Sequence, residues 1–273
     1  MINAQGMEVT LLLQKGLYHR KSGDDAAAIA CYNRILEQQG DCTDAWFNRG
    51  NALYALGRYL DALESYDRAL ELEPGFSEAW NNRGNTLDDL QRFDDAVLSY
   101  DKALKYAPTY FEAWHNRGIS LANLGRFEAA VSSYDWAIEF NPDGYVSWYN
   151  RAVALFQLQK MEKVIFNLDQ VLSLQPNLVA AWVKRGHALY ALLHFEAAIA
   201  SYNRALVLSP NCPDTLYRKA CCYTALDDLD RAFENLHHAL TLQPDEYRRM
   251  AQTTPELDSL RKDKRFIALL DGV

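Results

Sequence analysis

Five tryptophans, Trp46, Trp80, Trp114, Trp148 and Trp182, stand 34 residues apart with no insertion or deletion between them. Such a period means that one supersecondary unit is copied along the chain, since a copied unit keeps its internal spacing. Laid out at this period, the sequence gives seven units, 9–42, 43–76, 77–110, 111–144, 145–178, 179–212 and 213–246, with a leader 1–8 and a tail 247–273. In 43–76 the apolar residues Trp46, Leu53 and Leu56 recur at helical spacing, and Tyr59, Leu63, Tyr66, Leu70 and Leu72 repeat the pattern in the second half. Two helices per unit follow. Gly57, with Gly23 and Gly125 at the same place elsewhere, separates the halves, and Pro74, Pro108, Pro142, Pro176, Pro210 and Pro244 close the second helix. Gly50, Ala62 and Ala69, with their equivalents, let the two backbones approach closely. A lone hairpin of this kind cannot bury both apolar faces, so the units must stack.

The W-x-x-x-G of the first helix, the Ala opening the second, Y-x-x-A-L and the closing Pro together resemble the tetratricopeptide-repeat family over residues 9–246. The match is tightest through 43–144; Leu12 and Gly40 replace Trp and Pro in 9–42, and Leu216 stands for Trp in 213–246. The resemblance implies an all-α fold: an α-solenoid of stacked antiparallel helix hairpins forming a right-handed superhelix with a C-terminal capping helix. It also implies that the first helices line one continuous concave groove holding an extended peptide or a partner's helix. The tail, with Leu257, Leu260, Ile267, Leu269 and Leu270 among charges, reads as one or two short helices covering the last hairpin, and its LR-x-D-x-RF-x-x-LL ending resembles bacterial members. Unit 145–178 departs at four packing positions together, with Ala152 for Gly, Val164 and Val171 for Ala, and Leu168 for Tyr, so its helices are expected to sit farther apart.

Counting positions from each unit's first residue at about 100° per residue places 2, 5, 6, 9, 12 and 13 on the arc opposite the packing residues of the first helix. Position 6 carries Asn48, Asn82, Asn116 and Asn150, then Lys184 and Arg218; position 9 adds Asn51, Asn85 and His187. Asn costs up to about 0.7 kcal/mol in a helix relative to Ala, so the row suggests a use for its amides. Each amide offers a donor and an acceptor, matching an extended backbone. Family members with such a row hold peptides this way, which implies that role for Asn48, Asn82, Asn116 and Asn150. Lys184, His187 and Arg218 make one end basic, suited to an acidic side chain or a C-terminal carboxylate. Phe47, Tyr54, Tyr149, Phe156, Tyr190 and Tyr217 fall on the same arc as candidate anchors. The family's chaperone-binding carboxylate clamp is absent: where Asn51 and Asn82 fit, Phe47, Glu112 and Asn116 stand at the cationic positions.

Position 7 falls within the packing arc, where a charge needs a partner. Arg49, Arg83, Arg117, Arg151 and Arg185 recur there, and Asp67, Asp101, Asp135 and Asp169 recur on the second helix. The columns read as structural ion pairs fixing the stacking register, each Arg reaching the Asp of its own unit or of the preceding one.

The 273 residues carry a formal net charge of −8, which repels phosphate backbones and argues against nucleic acid. No stretch is apolar enough to cross a membrane, and the start lacks a signal-peptide pattern, so a cytoplasmic protein is expected. Five cysteines lack metal-ligand spacing. The adjacent pairs Cys221–Cys222 and His237–His238 point about 100° apart on a helix, and no nucleophile–base set or phosphate loop stands out, so neither catalysis nor a cofactor nor a metal site is expected. The functional expectation is a non-catalytic scaffold, adaptor or assembly factor with a protein or peptide partner. The alternative is a regulatory or accessory subunit of an enzyme whose partner carries the active site; self-association is left open.

Overall fold

The computed structural model describes residues 4–271, and every regular element among them is helical. Helices pair in chain order: α1 (Ala4–Lys21) with α2 (Asp25–Gln38), α3 (Thr43–Ala55) with α4 (Tyr59–Leu72), α5 (Ser77–Asp89) with α6 (Phe93–Tyr106), and α7 (Phe111–Asn123) with α8 (Phe127–Phe140). The same pairing continues with α9 (Tyr145–Gln157) and α10 (Met161–Leu174), α11 (Val179–Ala191) and α12 (Phe195–Leu208), and α13 (Pro213–Ala225) and α14 (Leu229–Leu242). The tail forms α15 (Pro244–Thr253), a 3-10 turn (Pro255–Leu257), α16 (Asp258–Arg261) and α17 (Lys264–Asp271). Two compact units divide the chain, 1–142 and 143–273.

Each hairpin turns through one residue in the left-handed region. At Gly57 (φ 72°) the N–H groups of Gly57 and Arg58 donate to the carbonyls of Tyr54 and Leu53, each at 2.9 Å, closing the α3 terminus in a Schellman pattern. The same site holds Leu193 at φ 61°, where a side chain carries a steric penalty that glycine avoids.

The hairpins close around a glycine–tyrosine lock. Gly50, Gly84, Gly118 and Gly186 lie under the rings of Tyr66, Tyr100, Tyr134 and Tyr202; a Cβ there would fall 2.6, 2.5, 2.5 and 2.3 Å from a ring carbon. In 145–178 both halves of the lock change. Leu168 takes away the ring that the methyl of Ala152 would meet, and Ala152, Val164, Leu168 and Val171 are all buried. Ala152 adds a methyl on α9 and Val164 and Val171 add volume on α10, while Leu168 gives up the ring there, so the exchanges act in opposite directions on the helix spacing.

In three repeats an arginine of the column bridges two hairpins. Arg83, Arg117 and Arg185 each donate Nε to the carboxylate of the preceding repeat, Asp67, Asp101 and Asp169, at 2.7 Å. The other end of each guanidinium, Nη1, donates to a hydroxyl of its own repeat: Ser99 and Ser133 at 2.7 Å, Ser201 at 2.8 Å. Arg49 has Asn33 Oδ1 in place of the carboxylate, at 2.8 Å, and also donates to Ser65; Arg151 donates to Asn167 Oδ1 at 3.1 Å. The guanidinium carbons of Arg49, Arg83 and Arg117 lie 5.6, 5.7 and 5.8 Å from the ring centroids of Trp46, Trp80 and Trp114. The indole N–H groups of Trp46, Trp80 and Trp114 donate back to the carbonyls of Gly40, Pro74 and Pro108. The aspartates are about half exposed, so each ion pair contributes on the order of 0.2–1 kcal/mol and acts chiefly on register.

The ends differ from the expected boundaries. Residues 4–8, placed in the leader, belong to α1. Pro244, expected to close α14, opens α15: its fixed φ suits a helix's first turn, so the terminal cap begins there rather than at 247. In the tail Leu257 and Leu260 are buried as expected, but the buried residue of α17 is Phe266, while Ile267 is 64% exposed. Leu269 and Leu270, also expected to cover the last hairpin, are partly buried against the same core.

Candidate functional site

The first helices α3, α5 and α7 bring Asn51, Asn82, Asn85 and Asn116 into one lattice in residues 4–142. Asn82 Nδ2 donates to Asn51 Oδ1 at 2.8 Å, and Asn116 Nδ2 donates to Asn85 Oδ1 at 2.9 Å, so each amide bonds to the preceding repeat. The same acceptors take the hydroxyls of the lock tyrosines: Tyr66 to Asn51 and Tyr100 to Asn85, both at 2.8 Å. Asn48 turns back on its own helix and donates to the Asp44 carbonyl at 2.8 Å. The amides are thus not a row of free donor–acceptor pairs: part of their capacity is used within the chain. The Oδ1 atoms of Asn51 and Asn85 each accept two bonds, while their Nδ2 donors stay unused.

Asn51, Asn82 and Asn85 line a cavity of about 360 Å³ with Tyr54, Ala55, Tyr66 and Arg20. Arg20, at the end of α1, occupies position 12 of its repeat, as do Tyr54 and Asp88. Position 12 was on the groove arc, but selecting aromatics there passed over its two charged members. The single hydroxyl proton of Tyr100 is shared between Asn85 Oδ1 at 2.8 Å and Asp88 Oδ2 at 2.7 Å, and Ser120 donates to Asp88 at 2.7 Å. Burial pushes the Asp88 carboxyl up, and the hydrogen bonds from Ser120 and Tyr100 oppose the shift.

In residues 143–271 an equivalent cavity of about 340 Å³ is lined by Phe156, His187, Tyr190, Ala191, Tyr202 and Arg218. Its basic residues have an internal counterion, because Asp214 Oδ2 lies 3.7 Å from His187 Nε2 and Asp214 Oδ1 lies 3.8 Å from Arg218 Nε. His187 and then Arg218 hold the Asp214 carboxyl below the usual range against its own burial. Lys184 lies with Nζ 6.0 Å from the ring centroid of Tyr149 and does not line this cavity. Asn150 is half-buried on α9.

Of the position-5 aromatics Phe47, Tyr149 and Tyr217, the first two are half-buried and the last is corrected. Tyr217 is 1% exposed, packed under Tyr247 at 5.3 Å with its hydroxyl on Thr254 Oγ1, so it belongs to the core the tail builds and not to a groove. Phe47 packs on Phe76 at 4.6 Å, and Asn81, at the same position, is buried. Position 5 packs on residues beyond its own helix, Phe76 and Tyr66 for Phe47 and Tyr247 for Tyr217, and an angular count on an isolated helix has no means of registering such neighbours. Cys221 and Cys222 are buried as well, and burial pushes both thiols up to about 12, away from nucleophilic use. Among the described residues, no group of three or more His, Cys, Asp or Glu is placed to hold a metal ion, and no helix is long and apolar enough to cross a membrane.

A family model described as tetratricopeptide repeat matches residues 13–75, 48–111, 81–143 and 115–163, and two further tetratricopeptide-repeat models match 179–212 and 213–246. The chain belongs to the tetratricopeptide-repeat family. Its α-solenoid fold is similar to that of the C-terminal part of a tetratricopeptide-repeat protein from Cytophaga hutchinsonii, with a TM-score of 0.75 at 18% identity over 94% of this chain and 99% of that one. YrrB, described as a tetratricopeptide-repeat protein with an unusual peptide-binding site, gives a TM-score of 0.62 at 20% identity over 67% of this chain and 94% of that one. MamA from Desulfovibrio magneticus RS-1 gives 0.59 at 19% identity over 62% and 95%. At these identities the likeness is one of fold. No curated protein matches the chain in sequence. Tetratricopeptide repeats are in general non-catalytic protein-interaction modules, which makes another protein or a peptide the natural partner class here.

Proposed function

We propose that this tetratricopeptide-repeat protein is a non-catalytic scaffold or adaptor that holds an extended segment of a partner protein against α3, α5 and α7. The observation that carries the reading is the asparagine lattice. Asn51 and Asn85 are held by bonds to Tyr66, Tyr100, Asn82 and Asn116, and each keeps an Nδ2 group without a bond in the chain. Donors fixed in advance lose little side-chain freedom when a peptide carbonyl arrives. Tyr54 and Ala55 supply an apolar wall beside them, and Arg20 a cation at the rim. Asn82 and Asn116 act here as supports of the donors and not as the primary contacts, while Asn48 is tied to its own helix.

Peptides selected from a random library on the immobilised protein test this. Their binding is expected to perturb the side-chain amide resonances of Asn51 and Asn85, and Asn82→Ala/Asn116→Ala is expected to weaken it about tenfold, equivalent to about 1.4 kcal/mol. Selected peptides that all bind this variant unchanged would overturn the groove reading.

A further inference from the structure

Among the described residues, three buried polar atoms without a hydrogen-bond partner belong to residues lining the cavity of residues 143–271: Tyr202 Oη, His187 Nε2 and Arg218 Nε. Tyr202 is wholly buried. Two of its counterparts show what is missing, while Tyr32, at the same position over Gly16, is open like Tyr202. Tyr66 and Tyr100 donate to Asn51 and Asn85, one position along the same seam, but here that position is His187, whose ring meets Tyr202 edge-on at 5.8 Å and offers its hydroxyl no acceptor. The nearest internal anion, Asp214, lies 3.7 and 3.8 Å from the other two atoms, beyond hydrogen-bond reach of either. Buried donors in a native protein are normally satisfied, and a set left open around one cavity marks the place of an external acceptor.

We propose that this cavity is a carboxylate site, taking an acidic group of the partner segment through Arg218, Tyr202 and His187. Arg218 supplies a permanent positive charge, and a carboxylate has two oxygens to share between a guanidinium N–H and a hydroxyl or imidazole N–H. Phe156, Tyr190 and Ala191 form an apolar wall that suits the methylene stem of the acid. Asp214 beside the site disfavours a more highly charged group such as a phosphate. An acidic side chain and a chain-terminal carboxylate share this chemistry.

The proposal deepens the peptide-groove reading but is tested without a peptide, on the full chain. N-acetyl-glutamate α-amide carries a side-chain carboxylate, N-acetyl-phenylalanine a terminal one, and acetamide is the neutral control. At millimolar concentration one or both acids are expected to shift the Arg218 Nε–Hε and His187 ring resonances, with acetamide silent. The stronger acid identifies the source of the carboxylate. Tyr202→Phe removes one hydroxyl from a buried ring and is expected to weaken the response about fivefold; Arg218→Gln is expected to abolish it. Equal shifts from acetamide, no shift from either acid, or an unchanged response in Tyr202→Phe would each overturn the proposal. Neither variant alters the lattice of Asn51 and Asn85, so this site and the peptide reading of residues 4–142 fail separately.

Discussion

The cavities of residues 4–142 and 143–271 share six repeat positions, Asn85 being a seventh in the first, and three hold the same residue in both: Tyr54 and Tyr190, Ala55 and Ala191, Tyr66 and Tyr202. The other three differ, Arg20 against Phe156, Asn51 against His187, and Asn82 against Arg218. In the first cavity the exchangeable positions close a circuit of hydrogen bonds, Asn82 to Asn51 and Tyr66 to Asn51. In the second, His187 Nε2, Arg218 Nε and the hydroxyl of the shared Tyr202 have no hydrogen bond among the described residues, against Arg20 Nε in the first. The shared residues shape the hollow, because a glycine beneath each tyrosine sets where its ring lies, whereas three positions free of packing duty decide what the hollow attracts.

That division breaks most severely at the shared positions. Gly50→Ala and Gly186→Ala place a methyl 2.6 and 2.3 Å from a tyrosine ring carbon, and each is expected to lower stability by about 1–3 kcal/mol in denaturant melts, more than offsetting the gain in helix propensity. Gly50→Ala/Tyr66→Leu, built on the natural Ala152/Leu168 pair, should recover most of the loss; a double variant no better than the single would mean that the exchange in 145–178 is not compensatory. A smaller effect separates the two tyrosines. Tyr66→Phe loses a hydrogen bond and is expected to cost about 0.5–1.5 kcal/mol, while Tyr202→Phe, which removes an unpaired buried hydroxyl, should cost nothing or stabilise. Equal costs would erase the contrast between the cavities. The smallest concerns the turns beside them, Gly57 against Leu193. Leu193→Gly relieves a left-handed leucine at the expense of a more flexible unfolded chain, for a net gain of about 0.5 kcal/mol read as a slightly higher melting temperature.

The hairpins were legible in the sequence because their determinants are local: Gly57 lies where the turn needs a positive φ, and the tryptophans fix the period. The arginine and aspartate columns were visible too, but choosing between own-repeat and preceding-repeat pairing takes the stacking geometry, which resolved it for Arg83, Arg117 and Arg185. Ser65, Ser99, Ser133 and Ser201 went unread although they recur two residues before the aspartate column, since a lone serine on a helix carries no sign of what it faces. At the candidate site, positions 6, 9 and 12 were legible from angles alone. Which atoms were already spent was not, because the bonds of Asn51 and Asn85 reach across repeats, and Tyr217 was misread because the tail that covers it is outside the periodic pattern.

The first cavity draws on Arg20, on Asn51 through Tyr66, and on Asn82, so it straddles three consecutive copies of the motif. Binding chemistry here runs out of phase with the sequence period: transplanting one whole copy would carry the middle of one pocket and the edges of two others. A designer wishing to move a specificity intact would have to cut inside the first helices of the outer copies, leaving the tryptophan-marked boundaries untouched.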